Sequence, residues 1–249
     1  MDINLNNSKV TCKEQSTVFE KKNFLKDEDF KDLQENFPDI NHFIKLRKSD
    51  DAEEKFSSSS EMFEEFISKN KSWRNFYNTL NSEKFIRSAY IKTLIPSIKS
   101  RGLKALRIWT TKKKPRFLKF FFNTVYTHMT ITVQKEGQKV YPHKDTEKKL
   151  MSMIYYMPDT DEITDQSSGT EFWKTNKNIS KWKNYFGHVI EDLEDFKKDN
   201  KMILKSKFEK NKLVFFVRNN LSWHSVLEVG VNTCNLRKTV NIFIRFKNN

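Results

Sequence analysis

Only two cysteines, Cys12 and Cys234, occur in this chain, so a disulfide framework is excluded by number, and their separation matches no metal-binding spacing. A reduced, cytoplasmic setting suits them. No apolar run approaches the ~20 residues of a membrane-crossing helix. The first residues, Met1 to Asn7, lack the basic-then-apolar layout of a secretory signal. A membrane is therefore not an expected partner. There is no internal repeat. Glycine is scarce, 5 in 249 residues, while lysine, asparagine, phenylalanine and isoleucine abound, a pattern that A/T-rich coding also produces. For that reason the net charge of +14, from 46 basic and 32 acidic residues, is not read as a nucleic-acid footprint. The charges are interleaved, as in Glu191-Asp192-Leu193-Glu194-Asp195-Phe196-Lys197-Lys198. The one dense basic cluster, Lys112 to Arg116, reads as a solvated loop.

What is present suffices for a core: hydrophobic residues make up 37%, with 22 phenylalanines, which argues against wholesale disorder. The length admits one large domain, or one domain with a flanking extension. Residues 1–75 are expected to form an N-terminal flank. Within it, residues 1–60 read as a flexible arm with one short helix near Asp27 to Glu35. Ser58 and Glu61 fit a capping box ahead of Met62, Phe63, Phe66 and Ile67. A further helix is expected to start near Ser82, carry Phe85, Ile86, Tyr90 and Ile91, and stop before Pro96.

Residues 76–249 are expected to hold the main domain. From about Leu118 the pattern becomes strand-like, beginning with Phe120 to Val133. Met151 to Met157 and Leu213 to Val217 read as strands buried on both faces. Leu236 to Phe246 alternates, with Arg237, Thr239, Asn241, Phe243 and Arg245 on one face. Residues 174–200 form a charged insert in which Trp182, Tyr185, Phe186, Val189, Ile190 and Leu193 recur at helical spacing. This insert reads either as a lid over a cavity or as an amphipathic helix docked permanently on the sheet.

The chemistry-bearing residues are His143 and Asp145, an H-x-D pair, and His224 about eighty positions downstream. On an extended segment His143 and Asp145 point the same way, because side chains alternate with period two. Two neutral imidazoles and one carboxylate can occupy one face of an octahedral ferrous ion and leave three positions open. Arg237 would be costly inside a barrel unless paired with an anion. Taken alone, the pair could equally sit exposed at a strand end, and His224 could be a core histidine beneath Trp223. His42, His128 and His188 have no comparable context.

Five pieces in order carry a resemblance: Glu136-Gly137-Gln138 with Pro142-His143-Lys144-Asp145; the strand ending Ile154-Tyr155-Tyr156-Met157; Gly169-Thr170-Glu171-Phe172; Asn211 to Phe216 leading to Ser222-Trp223-His224-Ser225-Val226; and Arg237 to Ile244. Together they resemble the Fe(II)/2-oxoglutarate-dependent oxygenase superfamily, in its prolyl 4-hydroxylase-like branch, over roughly residues 120–247. The chain departs from that pattern at Ser168-Gly169, where many members carry two glycines, and in the long charged insert.

The resemblance implies a mainly β fold with flanking helices around a double-stranded β-helix, a jelly-roll and cupin-like core. It implies Fe(II) held by His143, Asp145 and His224, with 2-oxoglutarate as co-substrate beside dioxygen. Arg237 would bind the far carboxylate of 2-oxoglutarate, with Arg245 as the competing candidate. Tyr156, Thr239 and Ser152 complete the expected co-substrate site. The implied reaction is hydroxylation of a small molecule, sugar or amino-acid side chain, with decarboxylation of 2-oxoglutarate to succinate. The alternatives are a nucleic-acid-directed oxidative demethylase, for which Lys112 to Arg116 would have to rim the pocket, and a non-catalytic metal- or ligand-binding protein.

Overall fold

The computed structural model describes residues 1, 3, 5–45, 54–109, 123–159, 167–185, 189–230 and 236–247. The chain opens with β1 (Lys9–Cys12), β2 (Val18–Lys21), α1 (Asp27–Glu35), β3 (Ile44–Lys45) and β4 (Glu54–Ser57). Helices α2 (Glu61–Lys69), α3 (Lys71–Leu80), α4 (Glu83–Lys92) and α5 (Leu94–Arg101) follow, then a 3-10 segment over Gly102–Arg107 and β5 (Ile108–Trp109). Next come β6 (Asn123–Gln134), β7 (Val140–His143), β8 (Lys149–Tyr156) and β9 (Thr170–Thr175). The chain continues through α6 (Ile179–Lys183), α7 (Leu193–Asp199), β10 (Asn200–Ser206), β11 (Lys212–Val217), β12 (Trp223–Val226) and β13 (Arg237–Phe246).

From β6 onward the strands divide between two antiparallel sheets. β11-β8-β13-β6 are neighbours in the larger sheet, and β10-β9-β12-β7 form the smaller one. In chain order the assignment is large, small, large, small, then small, large, small, large. That palindrome is the winding of a double-stranded β-helix, one of the jelly-roll solutions that pack two sheets face to face.

The central strands explain their own composition. On β8 and β11, Met153, Tyr155, Leu213 and Phe215 face the N-terminal helices, while Ile154, Tyr156, Val214 and Phe216 face the smaller sheet. Both strands are therefore apolar on both faces, as expected from their unbroken hydrophobic runs. The helical layer supplies Phe30, Leu33, Phe63, Trp73, Phe76 and Phe85 to the outer side. Trp73 Nε1 donates to the Leu33 carbonyl at 3.2 Å and ties α3 to α1.

Several expectations need correction. Residues 1–60 are not a flexible arm: β2 pairs with β11, β4 pairs with β6, and Ile3, Leu5, Phe19 and Phe56 are buried in the main core. The helix at α1 is where the sequence places it. The cap of α2 is Ser60 rather than Ser58; its Oγ accepts from the Phe63 N–H at 3.3 Å. α4 is as expected, capped by Ser82 and ending at Lys92 before Pro96; Pro96 then sits in the first turn of α5, where a missing N–H costs no hydrogen bond. α3 is an addition, although Trp73, Phe76, Tyr77 and Leu80 recur at helical spacing.

The insert resolves into α6, α7 and the start of β10. Trp182, Ile190 and Phe196 pack with Trp173 and Trp223, which alternate with the inward-facing Phe172 and His224 and so lie on the outer face of the smaller sheet. Trp182 is 1% exposed, and its Nε1 donates to Asp199 Oδ2 at 2.9 Å. Of the two readings, the structure favours a fixed outer layer over a lid; Phe186 falls outside the described residues. Trp182→Ala is expected to cost about 3–5 kcal/mol through the cavity it leaves. Chemical denaturation checks this, and a loss near zero would mean the insert is not part of the folded core.

Candidate metal centre

β12 and β7 are paired so that His224 lies opposite His143. Asp145 follows two residues past His143 on the same side. One ligand atom from each of His143, Asp145 and His224 falls within 4.8 Å of the others. Asp145 and His224 are buried, at 5% and 7% exposure. His224 Nε2 stands 3.9 Å from Asp145 Oδ2.

Both imidazoles are held in the same way. His143 Nδ1 lies 3.0 Å from the Tyr141 carbonyl, and His224 Nδ1 lies 3.1 Å from the Ser222 carbonyl. A carbonyl only accepts, so each Nδ1 carries the proton and donates, which puts the lone pair on Nε2. Burial foremost, then the neighbouring His143, pushes the His224 imidazole down to about 3. It stays neutral, as a metal ligand must. Burial acts to raise the Asp145 pKa, but Lys149 and the two imidazoles outweigh it and hold the carboxyl below the usual carboxylate range. Two imidazole donors and one ionised oxygen donor, converging in a partly enclosed site, fit a divalent transition metal.

Lys149 is the residue that parity reasoning misses. Its Nζ donates to Asp145 Oδ1, while Ser152 Oγ donates to Asp145 Oδ2. The ammonium also lies 3.6 Å from the Phe243 ring centroid. Strict alternation puts Lys149 with Met151 and Met153, facing the helices. A register shift between the Ile244↔Met151 and Arg245↔Lys149 pairs adds one residue to β8, and that bulge turns Lys149 to the opposite face. Arg218 supports the same turn from below, its Nε donating to the Asp145 carbonyl at 3.0 Å.

A cavity runs from this cluster along β13 and is lined by Ser152, Thr170, Arg237, Asn241 and Phe243 beside the three ligand residues. Arg237 is 3% exposed; its Nε donates to the Ser168 carbonyl and its Nη1 to Gln134 Oε1, both at 2.7 Å. The guanidinium carbon lies 5.7 Å from the Tyr156 ring and 5.3 Å from the Phe208 ring.

The other expected co-substrate residues are placed differently. Tyr156 does not line the cavity: its hydroxyl donates to Thr170 Oγ1 at 2.8 Å and accepts from the Thr170 N–H at 3.2 Å. Thr239 does not line the cavity either; its Oγ1 lies 2.5 Å from Thr132 Oγ1. Ser152 is on the wall but engages Asp145 rather than Arg237. Arg245 opens instead on a separate surface cleft with Tyr126 and Lys148. Gly169 serves backbone geometry, since a Cβ there would collide with the Ser206 carbonyl of β10. His128 does not line the cavity; it stacks on Phe243 at 6.2 Å, among Ser57, Ser58 and Thr130. His188, Cys234 and the Lys112 to Arg116 cluster fall outside the described residues.

These environments set an acid dependence. Burial, then Arg245 and Lys149, lowers His128 to about 4, against 6.5 for an ordinary histidine. A group whose folded pKa is depressed binds its proton more readily when unfolded, so acid favours unfolding. Stability is expected to fall as pH drops from 6.5 toward about 4 through His128, and on toward about 3 through His224. Melting temperature across that range should fall less steeply in His128→Gln; an unchanged slope would remove His128 from the account.

Winding and site together define the class: a double-stranded β-helix protein with a His-Asp-His cluster at one end of its inner cavity. No family model matches the chain, and no curated relative matches it. Among solved structures, it is similar to the non-heme alpha ketoglutarate dependent epimerase SnoN from nogalamycin biosynthesis. The TM-score there is 0.52 at 9% identity, over 92% of this chain and 76% of that one. A Pseudomonas putida prolyl-4-hydroxylase aligns over 93% of each chain at 10% identity, with a TM-score of 0.45. The SnoN likeness concerns the fold. No helix among the described residues is long and apolar enough to cross a membrane.

Proposed function

We propose that this chain is an Fe(II)- and 2-oxoglutarate-dependent dioxygenase, working as a hydroxylase on a small molecule, sugar or amino-acid side chain in the cytoplasm. The observation that carries the reading is one cavity holding both a His-Asp-His cluster and a buried arginine. SnoN, which shares the fold, is alpha ketoglutarate dependent. When bound, Fe(II) supplies dioxygen activation coupled to decarboxylation of 2-oxoglutarate to succinate.

The chain's own residues do the positioning. His143 and His224 present Nε2, each ring fixed through its Nδ1–H, and Asp145 presents Oδ2. Lys149 and Ser152 fix the carboxylate, as outer hydrogen bonds commonly orient metal ligands. Arg237 offers a fork for the C5 carboxylate of 2-oxoglutarate. Tyr156 acts behind it, holding Thr170 on the wall, and Thr239 anchors β13 to β6 beside it. Asn241 and Phe243 give the cavity one polar and one aromatic contact for a substrate.

The test is succinate formation by purified protein supplied with Fe(II) and 2-oxoglutarate, first alone and then across a panel of candidate substrates. A slow uncoupled rate that one substrate class raises is the expected outcome. Absence of both 2-oxoglutarate binding and succinate formation in iron-loaded protein would overturn the reading.

A further inference from the structure

Charge is far less evenly mixed along this chain than the total suggests. Between Glu83 and Glu136 there is no aspartate or glutamate, while thirteen lysines and arginines occur. Ahead of β6, the described part of that window is α4, α5, the 3-10 segment and β5, with Lys84, Arg87, Lys92, Lys99, Arg101, Lys104 and Arg107. It also carries four of the ten exposed large hydrophobics among the described residues: Ile91 at 60%, Ile95 at 69%, Leu103 at 75% and Leu106 at 48%.

These residues form a pattern. Exposed positions recur every fourth residue as Arg87, Ile91, Ile95, Lys99 and Leu103, whereas Phe85, Ile86, Ala89, Thr93 and Ser97 are buried. A spacing of four keeps Arg87 and Ile91 on one face of α4, and Ile95 and Lys99 on one face of α5, with Leu103 following in the 3-10 segment. The break between α4 and α5 is a single residue, Thr93. The Tyr90 hydroxyl donates to the Ala105 carbonyl at 2.7 Å, bringing the 3-10 segment with Leu103, Lys104, Leu106 and Arg107 against the same helices. A cleft of about 570 Å³ opens beside Ile91 between α4 and the Leu5–Asn6 segment; Glu83, Lys84, Arg87, Ser88 and Lys92 line it.

We infer that this face docks on an anionic lipid surface, with the isoleucines and leucines entering the interface and the basic side chains contacting headgroup phosphates and carboxylates. Crossing a bilayer and lying on it are different properties, and a short basic amphipathic segment is suited to the second. Charge complementarity decides between occupants. A second copy of this face would bring like charges together. A nucleic acid would be met by the lysines and arginines but gives aliphatic side chains nothing to enter. Exposed apolar residues interspersed with cations, and Glu83 as the one acid on the adjoining cleft, match a surface that is charged outside and hydrocarbon beneath.

The experiment is co-sedimentation of the full chain with phosphatidylcholine vesicles, with and without phosphatidylserine, at low and high salt. Binding is expected only with phosphatidylserine, weakening as salt rises. The exposed triple variant Ile91→Ser/Ile95→Ser/Leu103→Ser should lose about tenfold or more in partitioning. Lys99→Glu/Lys104→Glu should lose a comparable factor, since each basic side chain near such a surface contributes about fivefold. Both sets are on the surface, and unchanged circular dichroism checks that they fold.

No binding to phosphatidylserine vesicles overturns the inference. So does binding that survives the triple variant but not the charge reversal, which is a purely electrostatic contact. Tighter binding to mixed-sequence single-stranded RNA than to vesicles, with the triple variant unaffected, assigns the face to nucleic acid instead. Succinate formation without vesicles should be unchanged in both variants, so failure here is distinguishable from failure of the proposed activity.

Discussion

His143→Ala, Asp145→Ala and His224→Ala are each expected to abolish succinate formation from 2-oxoglutarate. Each removes one of three converging donors, and two remaining ligands neither hold nor tune a ferrous ion as three do. The histidine variants should stay folded, because each ring's visible backbone hydrogen bond is a local one to a carbonyl two residues earlier. Asp145→Ala should also destabilise, since it leaves Lys149 without its carboxylate in a site where the lysine side chain is 18% exposed. Replacing Lys149 with methionine makes a milder control. By analogy with other outer-shell partners, it should weaken metal binding about 10- to 100-fold without eliminating it. Iron titration followed by turnover separates these cases. Full turnover in His224→Ala would remove it from the ligand set. Activity confined to Asp145→Ala would point to a centre with two histidine ligands.

Arg237→Ala should weaken 2-oxoglutarate binding by orders of magnitude and leave iron binding nearly intact. Removing one partner of a buried ion pair typically costs ~3–5 kcal/mol, and every ~1.4 kcal/mol is tenfold in affinity. Arg237 also braces Ser168 and Gln134, so part of the loss could be structural. Arg237→Lys addresses this by keeping the charge and giving up the fork; it should recover some affinity at a similar melting temperature. Arg245→Ala should do much less, because that side chain lines a different cleft. Titration giving the reverse ranking would move the anion site to Arg245.

Much of the inner architecture could be read from residue order. β8, β11 and β13 announce themselves through apolar runs or alternation, and H-x-D on an extended segment brings two ligands to one side. The inward direction of Arg237, Thr239, Asn241 and Phe243 also follows from parity. What escaped has physical reasons. β1, β2 and β4 are short and partly polar, because they lie toward the edges of the larger sheet, where one side chain in two can face water. β10 resembles the charged insert that precedes it, since Lys201 and Met202 are exposed. Lys149 was hidden by a single extra residue in β8, which reverses the alternation any sequence reading must assume. Tyr156 and Ser152 were expected against a co-substrate, but their nearest acceptors are protein groups, Thr170 and Asp145. Spacing can place a hydroxyl on a face, but it does not choose the hydroxyl's partner.

The pairing of Lys149 and Ser152 with Asp145 bears on how the protein matures. A carboxylate in such a place would ordinarily make the ion a prerequisite for folding, as in small zinc domains that collapse only around their metal. Here the cation is built into the chain, and a hydroxyl satisfies the second oxygen. On the proposed reading, the polypeptide would therefore finish folding before the metal arrives rather than around it. Under the proposed activity, iron starvation would leave a reserve of intact, dormant protein.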